Sequence, residues 1–218
     1  KYDLMEEDIE IINTNTRNEK IKNFFINYKK QLIAILVIII LGLFGFFFYD
    51  DYKSGKKKEL ANKYNLAVIK YNSNQKKNIE TVFKEIIKAK DKTYSPLAFY
   101  FLLDNDLINS NNEINSYFDI LIYEADLDEE IKNLTIFKKG LFNSDFANEN
   151  ELLSILNPVI KSESIWKPHA LYLMAEYYFS KNQKLKSKEF FDQIISLENI
   201  SSKLKLKAQK RIRADFSE

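Results

Sequence analysis

Residues 32–49, LIAILVIIILGLFGFFFY, form eighteen consecutive positions without a charge. At 1.5 Å rise per residue, a helix of this length spans roughly 27 Å, close to a bilayer hydrocarbon core of ~30 Å. Core helices of soluble proteins rarely run this far without a polar side chain, so the segment predicts a transmembrane helix. Lys29 and Lys30 bracket one end, and Asp50, Asp51 and Lys53 the other. Tyr28, Tyr49 and Tyr52 stand where interfacial aromatics are expected. A cleaved signal peptide has a shorter apolar stretch and small residues at its cut. Here about thirty residues precede the run and Phe46, Phe47, Phe48 and Tyr49 end it. An uncleaved anchor is the better reading.

Charge does not orient the anchor. Arg17, Lys20, Lys22, Lys29 and Lys30 lie close on its N-terminal side, and Lys53, Lys56, Lys57, Lys58 and Lys63 on the other. The positive-inside comparison is therefore tied, and Asp50 and Asp51 tilt it only slightly towards a cytoplasmic N-terminus. Lys56, Lys57 and Lys58 are either solvated or in contact with anionic headgroups. Gly42 and Gly45 are three apart, which reads as tolerance in helix packing, with a dimer seam as the alternative. The chain opens on Lys1 rather than Met, so whether its N-terminus is complete stays open.

Four Gly and three Pro in 218 residues are too few for the turns of a sandwich or a doubly wound sheet, which favours an all-α chain. The formal net charge of +2 argues against a dedicated nucleic-acid binder. With no Cys, disulfides and thiolate chemistry are excluded. His169, the single histidine, is too little for a usual zinc site and reads as a surface residue in the first turn of a helix. Asp126, Asp128, Glu129 and Glu130 form the densest acidic group, placed to favour the positive end of a helix dipole. No glycine-rich phosphate loop or nucleophile elbow occurs. The expectation is a non-enzyme without cofactor, metal or catalytic residue.

After the anchor a five-residue pattern recurs: Phe83-Lys84-Glu85-Ile86-Ile87, Phe118-Asp119-Ile120-Leu121-Ile122, Leu156-Asn157-Pro158-Val159-Ile160 and Phe191-Asp192-Gln193-Ile194-Ile195. Its spacings are 35, 38 and 35 residues, the length of a helix–turn–helix repeat. Sixteen residues before each landmark stand Ala67, Leu102, Gly140 and Ala175. A small residue there admits the second helix and a large one sixteen later fills the space, a pairing that Leu102 alone departs from. In the last unit Leu171, Met174, Ala175 and Tyr178 line the first helix and Ser187, Phe191 and Ile194 the second, around the turn Lys181-Asn182-Gln183. This pattern resembles degenerate tetratricopeptide repeats, whose units stack nearest neighbour on nearest neighbour. Beyond it, residues 201–215 place Leu204, Ala208 and Ile212 on one side of a capping helix. The face of Lys203, Lys205, Lys207, Lys210, Arg211 and Arg213 is solvated or, on a sharper reading, a basic binding surface.

The expected fold is all-α: one N-terminal transmembrane helix, an antiparallel helix-pair solenoid of about four repeats, and a C-terminal capping helix. Its divisions are a tail at 1–31, the anchor at 32–49, a juxtamembrane linker or helix extension at 50–60, and the repeat domain at 61–218. Ala67, Phe83, Phe118, Gly140, Leu156, Ala175 and Phe191 are expected to pack the repeats. Tyr64, Tyr71, Phe99, Tyr100, Tyr172 and Tyr177 are candidates to line a protein-binding groove, although several of them must be core.

The order Asp8-Ile9-Glu10, Lys20-Ile21-Lys22-Asn23-Phe24-Phe25 and Tyr28-Lys29-Lys30 ahead of the anchor is similar to the YfgM-like group of bacterial inner-membrane proteins, ancillary subunits of the SecYEG translocon. That resemblance implies a cytoplasmic tail, a periplasmic repeat domain and association with the translocon and periplasmic chaperones. The alternative is a structural accessory subunit of another membrane complex. Oligomeric state and the partner's identity are not legible.

Overall fold

A computed structural model of the chain describes residues 3–73, 75, 78–198 and 200–216, with side chains from Glu19 onward. It divides into two compact units, Lys1–Lys58 and Glu59–Glu218. The first helix, α1, spans Asp3–Asn72, and its last turns belong to the second unit. Residues 50–60 are helical.

Within the first unit the large apolar residues from Ile33 to Phe48 are all exposed. No protein face covers them among the described residues. A helix suits an apolar medium because every backbone N–H and C=O is bonded inside the segment. This is one helix long and apolar enough to cross a membrane.

In the second unit the end of α1 is followed by α2 (Ile79–Lys88), α3 (Tyr94–Asp104), α4 (Asn111–Tyr123), α5 (Glu129–Asn143), α6 (Glu149–Ile160), α7 (Lys167–Ser180), α8 (Lys184–Ser196) and α9 (Ser202–Phe216). The landmark residues fall on α2, α4, α6 and α8, and their small-residue partners on α1, α3, α5 and α7. The longer central period has a local cause: α5 has 15 residues where α3 has 11, and the loop after α5 is one residue shorter.

The helix ends are closed without glycine. At α3 and α7 the chain turns through left-handed Asp106 (φ 52°) and Asn182 (φ 59°). Leu107 N–H then donates to Leu102 C=O at 2.9 Å and Gln183 N–H to Tyr178 C=O at 2.9 Å, the wide bond of a Schellman motif. Asp and Asn tolerate that backbone better than other residues with a Cβ. The start of α6 carries a capping box: Asn148 Oδ1 accepts from Glu151 N–H at 3.0 Å, and Glu151 Oε2 accepts from Asn148 N–H at 2.9 Å.

Phe83, Phe118, Leu156 and Phe191 are buried, as are Ala67, Leu102, Gly140 and Ala175. The two helices come close in the last two pairs, where the first helix offers Gly140 or Ala175. The pairs α5–α6 and α7–α8 pack along their length, whereas α3 and α4, with Leu102 facing that role, meet sparingly. The end of α1 reaches α2 through long side chains, with the Tyr64 ring edge-on to Phe83 at 5.7 Å and Lys63 Nζ 2.5 Å from Glu85 Oε2. At the α7–α8 crossing, buried Ser187 Oγ donates to Ala175 C=O at 2.8 Å.

Gly140 gives this pairing a direct test. A Cβ built there would stand 2.8 Å from Leu156 Cγ and 3.3 Å from its Cδ1, inside van der Waals contact with a fully buried side chain. Helix propensity favours Ala over Gly by ~1 kcal/mol, while overpacking a filled core costs ~1–3 kcal/mol. Gly140→Ala is expected to lower the urea midpoint, and to raise it by the propensity term when Leu156→Ala has already emptied the space. Equal effects in both backgrounds would show that the two positions do not meet.

A second measurable feature links α2 to α4. Lys84 Nζ lies 2.6 Å from Glu80 Oε1 and 2.6 Å from Glu113 Oε1, and Tyr117 Oη donates to Glu113 Oε1 at 2.8 Å. Those two donors, Lys84 first, hold the Glu113 carboxyl below the usual range. Burial, then Glu113, pushes the Tyr117 phenol up to about 12. Because Glu113's folded pKa lies below its unfolded value of ~4.3, its stabilisation is complete above that value and is lost as pH falls through the folded one. Glu113→Gln is expected to cost up to about 1 kcal/mol at pH 7, and progressively less towards pH 3. An unchanged difference across that range, followed by thermal melts, would rule out the carboxylate as the cause.

Candidate protein-binding surface

The six aromatic residues considered for a groove divide by burial. Phe99 is fully buried on α3, edge-on to Phe118 at 4.8 Å. Tyr177 is buried on α7, and its hydroxyl donates to Ala147 C=O at 3.1 Å, tying α7 to the α5–α6 loop. Both are core, because each lies on a stripe that meets a neighbouring pair. Tyr64, Tyr71, Tyr100 and Tyr172 are half-buried and keep part of each ring accessible.

Tyr64 faces Phe83 and, at 6.0 Å, Tyr94; burial raises its phenol pKa. Tyr71 stands edge-on to Phe101 at 5.2 Å. Tyr100 reaches α5, where its hydroxyl lies 3.5 Å from Thr135 Oγ1 and Lys138 Nζ sits 3.7 Å above its ring. Burial also raises the Tyr100 phenol. Further along, Phe137 on α5 stacks on Trp166 at 6.0 Å, and His169 tilts against Trp166 at 5.3 Å. His169 is exposed in the first turn of α7. Phe137, Lys138 and Trp166 were not legible as a surface group, because they come together only across the α5–α7 contact.

Tyr172 is covered by the chain's own last helix. Lys207 Nζ on α9 lies 4.4 Å above its ring, and Phe191 is edge-on at 5.4 Å. Burial, then Glu176, raises its phenol. Beside it Arg211 makes two bonds to Glu176, Nε to Oε1 at 3.0 Å and Nη2 to Oε2 at 2.9 Å. Arg211 also pairs with Asp215 and lies 4.5 Å over the Phe179 ring. The face expected to be solvated is therefore only partly so: Lys207 and Arg211 are turned onto α7. Ala208 is fully buried and Ile212 packs against the α7–α8 cluster as expected, while Leu204 is half-buried.

The acidic group at 126–130 serves the start of α5. Glu129 and Glu130 lie in its first turn, but the Asp128 side chain makes no cap bond and stands 3.2 Å from Lys92 Nζ. Glu130 Oε2 accepts from Ser164 Oγ at 2.7 Å. Between α4, α5 and α6 a recess of about 540 Å³ contains an amide pair. Asn143 Nδ2 donates to Asn115 Oδ1 at 2.8 Å, and Asn115 Nδ2 to Asn143 Oδ1 at 3.1 Å. Nothing in the sequence distinguishes these two asparagines from the many others.

Half-buried aromatic and lysine groups thus lie along the first helices of the stacked pairs. Residues 22–109 match the family model of the tetratricopeptide repeat-like domain. The likeness is to that domain and covers fewer than half of the chain's residues. The match begins ahead of the apolar run and ends after α3, so it takes in both the long helix and the first helix pair. Repeat-like domains of this kind mediate protein–protein interactions, and α4 to α9 continue the same helix alternation beyond the matched residues. No curated protein and no solved structure matches the chain.

Proposed function

We propose that this chain is a non-catalytic, membrane-anchored scaffold whose repeat-like domain docks other proteins, with the Sec translocon and periplasmic chaperones or exported chains as its partners. The carrying observation is that one family match spans both the apolar helix and the first helix pair, which supports reading anchor and repeats as parts of one device. In this reading residues 32–49 cross the inner membrane, the N-terminal tail is cytoplasmic and the repeats are periplasmic. The half-buried Tyr64, Tyr71 and Tyr100 and the Phe137–Trp166–His169 cluster supply aromatic surface of the kind that protein interfaces favour. Anchoring raises the effective concentration of the domain near other membrane proteins, so weak contacts suffice.

The test is purification of the tagged, membrane-embedded protein in mild detergent, with partners identified by mass spectrometry. Recovery of translocon subunits together with export chaperones is the expected result. Stoichiometric recovery of a different membrane complex would replace the export reading with that of a structural accessory subunit.

A further inference from the structure

A second recess, of about 280 Å³, lies between the first turns of α7 and α9, walled by Ile165, Trp166, Pro168, His169, Ile200 and Leu204. Its size falls below the ~300–1,000 Å³ of sites for whole small molecules, and suits one large side chain. Ile165 remains 68% exposed at its rim, an apolar group that folding leaves uncovered. Along α9 beside it run Lys203, Lys207 and Lys210, spaced one turn apart on one exposed strip. Lys207 is one turn beyond Leu204, and Tyr172, which its ammonium covers at 4.4 Å, is one turn beyond His169. The lysine strip therefore starts at the recess.

Its charge is left over. Glu176 and Asp215 are both engaged by Arg211, and Lys167 has Glu163 at 3.4 Å. Lys203 and Lys210 have no ion-pair partner among the described residues. A partner for this surface needs one bulky apolar group and several carboxylates.

We propose that the recess and the lysine strip dock an acidic protein segment that inserts one large apolar side chain between Trp166 and Leu204 and sets its carboxylates against Lys203 and Lys207. The proposal rests on the scaffold reading above and assigns that scaffold a specific contact. Two helices wall the recess over the length of a side chain, which fits an inserted residue better than a flat lipid surface.

Trp166 is the only tryptophan in the chain, so the recess carries its own reporter. The experiment uses the full chain in neutral phosphatidylcholine nanodiscs, titrated with a short Asp/Glu-rich peptide containing a single Phe. A saturable change in Trp166 emission is expected, weakening with salt. Affinity is expected to fall about tenfold when the peptide's Phe becomes Ser, and about tenfold in the Lys203→Glu/Lys207→Glu variant, whose circular dichroism stays unchanged. No saturable change, or an equal response to a Lys-rich peptide with the same Phe, would overturn the proposal. A Trp166 change on moving to anionic phosphatidylglycerol discs without peptide, larger than the peptide's own, would assign the surface to lipid and overturn it as well. If the peptide fails while a stoichiometric membrane partner still co-purifies, this site alone falls. If both fail, the scaffold reading falls with it.

Discussion

Replacing Ile40 and Leu41 by arginine is expected to release the protein from membranes into the alkaline-carbonate supernatant. Fourteen of the eighteen residues at 32–49 are Leu, Ile, Val or Phe. At about −0.3 to −0.6 kcal/mol each near the helix centre, they favour insertion by roughly 4–8 kcal/mol. Two central arginines cost about 5–7 kcal/mol and remove most or all of that preference. The repeat unit contains neither position, so its thermal melt should not move. A double variant that stays carbonate-resistant would show that the long helix is held by protein rather than lipid.

The second large effect belongs to Phe118. It is almost fully buried on α4, meeting Phe99 of α3 at 4.8 Å and Phe142 of α5 at 6.1 Å. Phe118→Ala is expected to cost about 3–5 kcal/mol, a large share of the ~5–15 kcal/mol that holds a domain together. Because repeats stack in one dimension, the loss sits in the middle of the stack and uncouples the units on either side. Phe191→Ala removes a ring of the same size from the smaller cluster shared by α7, α8 and α9, so it should fray the C-terminal end first. Hydrogen exchange separates these outcomes: protection lost throughout α3–α6 for Phe118→Ala, and confined to α7–α9 for Phe191→Ala. Tyr123→Ala, at a 73% exposed position on the same helix as Phe118, should stay within about 0.5 kcal/mol of the parent. A Phe118 variant no worse than the Tyr123 variant would contradict this account of the core.

The candidate surface divides between what pattern reaches and what it does not. Tyr64, Tyr71, Tyr100 and Tyr172 sit on first helices with part of each ring accessible, while Phe99 and Tyr177 on the same helices are core. An aromatic at helical spacing marks a stripe, but a stripe that meets two neighbours buries residues that one meeting a single neighbour leaves open. The same limit hid the role of Arg211. Its guanidinium looked solvated within a run of basic residues, yet it is pinned to Glu176, 35 positions away, by a bidentate pair.

The sequence by itself determined the apolar run at 32–49, the alternation of helices, and the four landmark positions, three of them with a small partner. Those properties are local or periodic: hydrophobic run length and a mid-thirties repeat survive without knowledge of neighbours. Tertiary structure alone decided which pairs approach closely, with Gly140 under Leu156 and α3 meeting α4 only sparingly. It also decided that α9 covers Tyr172, that Asn115 meets Asn143, and that a recess beside Trp166 lies next to the lysine strip of α9. These depend on the rotation of one helix against the next, which is fixed by side-chain fit at the contact and leaves no periodic mark on the chain.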